Sequence, residues 1–422
     1  MSRGARLLSV LLSLLAVAAL ASLDGKVLVI GVPLLMYLGT GLAFAPRNAR
    51  LEAARSLERQ STRHGASIEV TVTVLNRGPG IEELVLVDGV PRSLPVEEGS
   101  PRHVLTLGSG QSTRWTYTVG GVRGEHAWDD LDAEADCFCG IFGREERLVV
   151  PNRLLVLPVA ERLSAIRIRP RQTRGFAGPI PSRAAGSGTR FLGVREYRPG
   201  DPLRRINSRL MARHPRALFT NEFEQERIAD VGVVLDTRGQ SWAGPHGKRH
   251  FEAAVSAALS LAESFLKEGN RVALLGYGYG MTRVPPGLGR VQLQRIRVAL
   301  AHAEAGTNYA LDTLDLFPTR MFPARSQIAV VTPLQRGDVR ALGSLCVRGY
   351  SLLVVSPDPL DAGDAEDLAR RIVRLERSLE LAELRRAGVR TVDWPVSSPL
   401  GGALREALAR QPLDRSARGL WR

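Results

Sequence analysis

DVGVVLD, residues 230–236, is the stretch that decides the fold class of this chain. It is a short apolar run that ends on the carboxylate of Asp236, and an apolar stripe of helical period follows over residues 251–266. Gly269 is a helix stop signal, and residues 271–275 have the pattern of a second strand. A strand, a helix and another strand in succession indicate a parallel sheet.

The same alternation continues toward the carboxyl terminus. Further strands are predicted at residues 328–332, 352–356 and 389–392, and further helices at residues 291–303, 339–346, 365–386 and 404–409. This pattern predicts an α/β fold over residues 229–422, with a doubly wound sheet covered on both faces. Such sheets bind ligands at the carboxyl ends of their strands, which here are Asp236, Gly276, Thr332 and residues 356–358.

Motifs of the common enzyme classes are missing from the sequence. No phosphate-binding loop of the form GxxxxGK[S/T] occurs, and GYGYG at residues 276–280 lacks the spacing of a dinucleotide-binding loop. We find no nucleophile elbow, no Ser-His-Asp arrangement and no cofactor loop, and we interpret His246, His250 and His302 as surface or packing residues. The sequence therefore predicts a protein that is not an enzyme and has no cofactor.

Residues 60–160 show a different pattern. SIEVTVTVL at residues 67–75 alternates with a period of two, and similar short runs recur at intervals of roughly ten residues. This spacing predicts a β-sandwich-like domain, in which no titratable cluster stands out. We interpret Cys137 and Cys139 as packing residues, because two thiols do not complete a zinc site.

Two apolar runs open the chain, at residues 7–23 and 27–45. Each covers about 26–28 Å as a helix, and arginines flank the pair on both sides. Residues 1–46 are therefore predicted to form a transmembrane helical hairpin. Because positive flanks stay in the cytoplasm, both ends of the hairpin are expected on the cytoplasmic side. The expected location is the cell membrane, multi-pass, with the later domains in the cytoplasm. Cleavage of the first run as a signal peptide stays open.

Positive charge is concentrated in a connecting segment, residues 161–228. The chain has a net charge of +14, and residues 162–216 contain 14 arginines against two acids, Glu196 and Asp201. The turn residues in 197–202 would hold the nearby arginines in a fixed arrangement. These arginines could brace the neighbouring domains, bind an acidic protein face, or bind anionic lipid. Nucleic acid is disfavoured, because no aromatic platform interleaves with them.

The motif REYRPGD at residues 195–201, followed by Arg204-Arg205-Ile206 and Ala212-Arg213, resembles the domain of unknown function 58 family. DCFCGIF at residues 136–142 is similar to a second element of that family. The resemblance implies a membrane-anchored bacterial protein whose α/β part is a von Willebrand factor A-like domain. This chain departs from the family at Asn207-Ser208, where the family has Asp-Trp, so a salt bridge and an aromatic anchor would be lost there.

The resemblance also implies where a Mg²⁺ site would lie. In that fold the metal is held by a DxSxS sequence, a threonine from a later loop and a further aspartate. Asp236 and Thr307 keep two of these places. Arg238 and Gln240 replace the two serines, and Pro333 replaces the last aspartate. We therefore expect a degenerate site without metal, and an Asp236–Arg238 pair at a surface-facing strand end.

Family members are often encoded with MoxR-type AAA+ ATPases, so the resemblance implies such a partner. We predict a non-enzymatic, membrane-anchored protein-binding adaptor that acts in protein assembly or maturation. The expected partner-binding residues are Arg195, Glu196, Tyr197, Arg198, Gly200, Asp201, Arg204 and Arg205. A membrane-associated protein that binds anionic lipid or nucleic acid, and a hydrolase, remain as alternatives. The oligomeric state is left open.

Overall fold

The computed structural model describes residues 3–22, 25–43, 50–136, 143–164, 166, 180–214, 217–280, 282–308, 314, 321–323, 326–360 and 368–411. The chain divides into two compact units, Met1–Leu157 and Pro158–Arg422. The fold is mixed α/β with several separate sheets. The predicted connecting segment, residues 161–228, lies within the second unit.

Two helices open the first unit, α1 (Arg3–Ser22) and α2 (Gly25–Ala43). Among the residues that the structure describes, neither these helices nor any later one is both long and apolar enough to cross a membrane. The predicted transmembrane hairpin is therefore wrong. The apolar runs cover only about 26–28 Å against a ~30 Å hydrocarbon core. In addition, Arg6, Lys26 and Pro33 fall inside the helices. The location inferred from the hairpin stays a prediction.

The rest of the first unit consists of two sheets that share one hydrophobic core. The strands are β1 (Leu51–Leu57), β2 (Ser61–Arg63), β3 (Ser67–Asn76), β4 (Ile81–Asp88), β5 (Val96–Gly99), β6 (Arg102–Leu107), β7 (Ser112–Gly120), β8 (Gly124–Asp136) and β9 (Gly143–Leu157). One sheet has the strand order β1-β3-β7-β5, and the other has the order β2-β9-β8-β4-β6. The alternation of β3 places Ile68, Val70, Val72 and Val74 in this core.

A buried charged network crosses that core, although the sequence suggested no titratable cluster there. Arg55 donates from Nε to Asp88 Oδ2 at 3.0 Å and from Nη2 to Asp88 Oδ1. Tyr117 Oη donates to Asp88 Oδ2 at 2.7 Å, and Trp128 Nε1 donates to Tyr117 Oη at 3.2 Å. Burial and the neighbouring Asp88 carboxylate raise the pKa of Tyr117. The sequence did not reveal this network because Arg55 and Asp88 look like ordinary surface residues there and lie 33 residues apart.

The second unit contains a separate two-stranded ribbon. Strands β10 (Ile180–Glu196) and β11 (Phe219–Arg227) pair antiparallel, with Glu196 opposite Phe219. A 3-10 turn (Leu203–Arg205) and the short helix α3 (Ser208–Arg213) lie between the two strands. The REYRPGD motif thus lies at the end of a strand and in the turn that follows it.

A six-stranded sheet forms the body of the second unit. Its strands are β12 (Asp230–Asp236), β13 (Arg271–Tyr277), β14 (Arg283–Gly287), β15 (Gln327–Val331), β16 (Ser351–Pro357) and β17 (Arg390–Trp394). They lie in the order β14-β13-β12-β15-β16-β17. All neighbours pair parallel except β13 and β14. The strand order therefore reverses between β12 and β15, which makes that boundary the topological switch point.

Helices pack on both faces of this sheet. The helices are α4 (Gly247–Lys267), α5 (Gly289–Ala301), α6 (Asp338–Val347), α7 (Leu368–Arg386) and α8 (Leu400–Arg410). Buried residues of α4, α5 and α8 share one core with the sheet, and those of α6 and α7 share a second core. The sheet is thus covered on both sides, and its strands are buried along most of their length.

Candidate functional site

The carboxyl end of β12 carries a buried ion-pair cluster. Asp236 accepts hydrogen bonds from the backbone N–H of Arg238 at 2.9 Å, and from Nε and Nη2 of that guanidinium at 3.0 and 2.8 Å. The same guanidinium donates from Nη1 and Nη2 to the two carboxylate oxygens of Asp338, at 2.9 and 2.7 Å. Arg238 is thus held between two carboxylates, and this geometry matches its planar fork of donors.

Neighbouring polar groups complete the arrangement. Thr332 Oγ1 donates to Asp236 Oδ2 at 2.8 Å, and the backbone N–H of Gln335 donates to Asp338 Oδ2 at 2.9 Å. We call Asp236, Arg238, Thr332 and Asp338 the Arg238 cluster. The three charged side chains are at most 2 % exposed. Such burial is tolerated because each charge has a hydrogen-bonded partner of opposite sign.

The environment of the cluster shifts two pKa values. Burial by itself would lower the pKa of Arg238, but its hydrogen bonds to Asp236 and Asp338 raise that pKa above its ordinary value. Burial raises the pKa of Asp338, and the bonds from Arg238 offset part of this rise. Two carboxylates face one guanidinium, so the cluster holds one excess negative charge when both are ionised.

The Asp236–Arg238 pair was predicted from the sequence, but its surface-facing position was wrong. Helix α6 begins over the strand end and brings Asp338, its first residue, onto the guanidinium. Trp242 also covers the site, with its Nε1 donating to the carbonyl oxygen of Asp236 at 3.0 Å. Asp338 was missed because it lies 100 residues from Arg238. Its sequence signal is weak: an acidic residue directly before the helix predicted at residues 339–346.

The two remaining positions of the degenerate metal site lie outside this cluster. Gln240, in the 3-10 turn Gly239–Trp242, and Thr307 are both exposed. In the part of the chain that the structure describes, no three His, Cys, Asp or Glu side chains are grouped to hold a metal ion. Between Asp236 and Asp338, the position that a cation would take is filled by the Arg238 guanidinium.

The glycine-rich end of β13 makes room for Arg238. Gly278 has a φ of +130°, and a Cβ atom there would come within 2.5 Å of the Arg238 backbone nitrogen. Gly306 packs in the same way, because a Cβ atom would come within 2.5 Å of the Tyr279 ring. The GYGYG segment therefore has a structural role that requires glycine.

A second buried arginine occupies the neighbouring strand ends. Arg377 on α7 is 7 % exposed and donates from Nε and Nη2 to Asp393 Oδ1, at 3.1 and 2.7 Å. It also donates to the carbonyl and hydroxyl oxygens of Ser356, at 2.9 and 3.0 Å, and to the carbonyl oxygen of Pro333 at 3.0 Å. These acceptors lie at or just beyond the ends of β15, β16 and β17, so guanidinium groups bind the carboxyl edge of the sheet at two places.

The predicted partner-binding residues are brought together in the ribbon. Arg195 forms two hydrogen bonds of 2.8 Å with the carboxylate of Asp201, and its Nε donates to Glu222 at 2.7 Å. Asp201 also accepts from the backbone N–H of Arg198 at 2.9 Å. Hydrogen bonds from Arg195 and from that N–H lower the pKa of Asp201. Arg195 and Asp201 thus hold the turn, which Gly200 completes with a φ of +103°.

The other predicted partner-binding residues differ in exposure. Glu196, Arg198 and Arg204 are exposed. Tyr197 is half-buried, and its backbone N–H donates to the carbonyl of Leu218 at 2.8 Å. The guanidinium of Arg205 lies over the Phe223 ring, 5.2 Å from the centroid, which is a cation–π contact.

Asn207, where the chain departs from the pattern of the family that it resembles, caps α3. Its Oδ1 accepts from the backbone N–H of Leu210 at 3.0 Å, and its Nδ2 donates to Asn221 Oδ1 at 2.8 Å. An aspartate could accept the same capping bond, so the substitution keeps this role. The Asn207–Asn221 contact is an amide–amide hydrogen bond, which carries no net charge.

Replacing Asn207 with alanine should loosen α3 without unfolding the chain. Loss of an N-cap costs about 0.5–2 kcal/mol, and we expect faster amide hydrogen exchange in residues 208–213. Asn207→Asp is the matched control, because a carboxylate keeps the acceptor for Leu210. Equal exchange rates in Asn207→Ala and the unaltered protein would contradict the capping role.

Three sequence predictions lie outside the described residues. They are the packing role of Cys137 and Cys139, the DCFCGIF element beyond Asp136, and the arginines of residues 167–179.

Comparison with protein families gives a match over the part of the chain that contains these features. Residues 193–333 match the family described as protein of unknown function DUF58. The match covers about a third of the chain, and it includes the REYRPGD motif, Arg238 and Thr332. The family resemblance is therefore supported for this segment. Asp338 and Arg377, which bind the DUF58 segment at Arg238 and Pro333, lie beyond its end.

No curated protein matches the chain. Among solved structures, the CARDB domain of a Pyrococcus furiosus protein is 15% identical, covers 26% of this chain and 93% of its own, and has a TM-score of 0.19. Proximal thread matrix protein 1 from the mussel byssus is 11% identical and has a TM-score of 0.29. That match covers 43% of this chain and 47% of the mussel protein's chain. A non-cellulosomal cohesin from Archaeoglobus fulgidus is 13% identical and has a TM-score of 0.18. That match covers 26% of this chain and 91% of the cohesin chain. Scores this low identify no common fold.

Proposed function

We propose that this protein is a non-enzymatic protein-binding adaptor and that it binds its partner through the ribbon. The basic ribbon is defined here as residues 193–214 and 217–223. The observation that carries the proposal is that one arginine of the ribbon forms internal hydrogen bonds while others are exposed to solvent. Arg195 binds Asp201 within the turn, whereas the side chains of Arg198 and Arg204 are exposed.

The chemistry of the basic ribbon favours an acidic protein partner. Residues 193–214 contain six arginines and two acids, and one of these acids, Asp201, is already paired with Arg195. Exposed apolar side chains lie among the arginines, with Leu203 74% and Leu218 48% exposed. Arginine is enriched in binding hot spots, and a charged surface selects a partner of opposite sign.

The arrangement of charged side chains at the carboxyl ends of the strands favours a binding role over a catalytic one. In the Arg238 cluster each carboxylate is buried and bonded to a guanidinium, so neither is placed to accept a substrate proton. We also infer that residues 229–422 form a von Willebrand factor A-like domain. The doubly wound strand order and the place of Asp236 after its first strand support this inference.

A MoxR-type AAA+ ATPase is the partner that we propose, on the strength of the DUF58 resemblance, in protein assembly or maturation. The test is the affinity of the purified full chain for the purified ATPase, measured by biolayer interferometry at low and at high ionic strength. Arg198→Glu/Arg204→Glu should weaken binding by at least about tenfold at low ionic strength. The difference should narrow at high ionic strength, because salt screens exposed charges.

The matched control reverses the same number of charges elsewhere. Arg290 and Arg340 are exposed on α5 and α6, away from the basic ribbon in the sequence. Arg290→Glu/Arg340→Glu should change the affinity by less than about twofold. Equal losses in both double variants would refute the ribbon as the binding surface. Absence of binding by the unaltered chain would refute the proposed ATPase partner.

A further inference from the structure

A cavity of about 170 Å³ lies beside the topological switch point of the six-stranded sheet. Its wall includes Ser241, from the loop after β12, together with Pro333 after β15 and Pro357 at the end of β16. In doubly wound sheets this crevice, outside the carboxyl ends of the strands where the order reverses, is where ligands bind. We call it the switch-point cavity. It is separate from the basic ribbon.

The first turn of α4 forms one side of the switch-point cavity, through His246, Gly247 and His250. α4 is 21 residues long, has no acidic residue in its first turn, and receives no capping hydrogen bond from the His246 side chain. Among the described residues, the backbone N–H groups of Lys248 and Arg249 have no acceptor. A long helix with free amide donors at its start attracts negative charge.

The side chains around the switch-point cavity point to the same kind of ligand. His246, His250 and Arg370 line it, whereas none of the lining residues that the structure describes is Asp or Glu. The Ser241 hydroxyl oxygen is buried and has no hydrogen-bond partner in the part of the chain that the structure describes. A buried hydroxyl without a partner is costly, and a bound acceptor would satisfy it.

The loop of residues 242–247, which lines the switch-point cavity, packs closely against the first residues of α4. A Cβ atom at Gly247 would come within 1.6 Å of the Trp242 carbonyl oxygen, so only glycine lets residues 242–247 fold back on α4. Trp242 is fixed in turn by its bond to the Asp236 carbonyl and by an edge-on contact with Phe251, with ring centroids 5.5 Å apart. The cavity wall is thus anchored to the end of β12.

We propose that the switch-point cavity binds a small anionic group, a phosphate or a carboxylate. The helix start, the two histidines, Arg370 and the Ser241 hydroxyl would supply its donors. A volume of 170 Å³ corresponds to about six waters at ~30 Å³ each, which suits one such group. It is smaller than the ~300–1,000 Å³ of sites that enclose a whole drug-sized ligand.

Isothermal titration of the full chain with inorganic phosphate tests the proposal, with acetate as a parallel titrant and chloride holding the ionic strength constant. We expect saturable binding at one site. His246→Gln and Arg370→Gln should each weaken it by about tenfold, the size of effect that a lost charged hydrogen bond produces. Tighter binding of acetate than of phosphate would assign the natural group as a carboxylate, and the reverse would assign a phosphate.

Arg249→Gln is the matched control, because it removes a positive charge from the same helical turn while its exposed side chain does not line the cavity. This variant should bind within about twofold of the unaltered protein. Ser241→Ala, which removes only the hydroxyl, should also weaken binding and gives a test that does not change the charge. Non-saturable heats for both anions, or equal losses in the Arg249 and His246 variants, would overturn the proposal.

Discussion

Arg238→Met should destabilise the second unit by about 3–5 kcal/mol, the usual cost of removing one partner from a buried ion pair. Methionine fills much of the same space but donates no hydrogen bond. The carboxylates of Asp236 and Asp338 would then face each other, buried and without a counter-charge. Urea unfolding of the full chain, followed by tryptophan fluorescence and calorimetry, measures the loss.

The effect of Arg238→Met should depend on pH. Burial and the nearby Asp236 charge already raise the pKa of Asp338, and loss of Arg238 removes what offsets that rise. A carboxyl whose folded-state pKa lies above its unfolded value contributes stability at low pH and loses it as pH rises through the folded value. The destabilisation should therefore shrink as the pH is lowered from neutral, when a proton replaces the missing cation.

Asp338→Asn is the control for this prediction. It removes the excess negative charge but keeps Asp236 as the partner of Arg238, so we expect a smaller loss than for Arg238→Met. A loss below about 1 kcal/mol for Arg238→Met at neutral pH, the range of exposed pairs, would show that the cluster is not a buried ion-pair site.

Asp88→Ala should have an effect of similar size in the first unit, again about 3–5 kcal/mol. The Arg55 side chain is 0% exposed, and Asp88 is the only carboxylate that pairs with it among the described residues. Tyr117 would also lose the acceptor of its hydroxyl. Differential scanning calorimetry of the full chain should show an earlier transition for the unit that contains residues 50–136.

Asp132→Ala is the matched control in the same unit. Asp132 pairs with Arg147 at 3.0 Å, but the two side chains are 58% and 67% exposed. Water screens such a pair, so its loss should cost less than about 1 kcal/mol. If the Asp88 and Asp132 variants unfold alike, the buried network is not what holds the two sheets together.

Local patterns predicted much of the second unit. β12, β13, β15 and β16 lie within a few residues of their predicted positions, because buried parallel strands are short continuous apolar runs. β14 (Arg283–Gly287) was missed, since two prolines in RVPPG argue against a strand. The structure tolerates them because β14 is an antiparallel strand at the edge of the sheet.

The amino-terminal helices show that a sequence pattern can predict where a helix lies and still mislead about its role. Their positions were predicted within a few residues, yet the conclusion that they cross a membrane was wrong. Apolar composition indicates a helix that avoids water, whereas spanning a bilayer also requires enough uninterrupted apolar length.

The sequence alone determined the alternation of strands and helices, the REYRPGD turn, and the presence of Asp236 and Arg238 at one strand end. Only the tertiary structure decided that this pair is buried, that Asp338 completes it, and that Arg55 reaches Asp88. The reason is that hydrophobic period and turn chemistry act over a few neighbouring residues, whereas a buried charge depends on partners far along the chain. Here those partners lie 100 and 33 residues away, and the folded sheets bring them within hydrogen-bond distance.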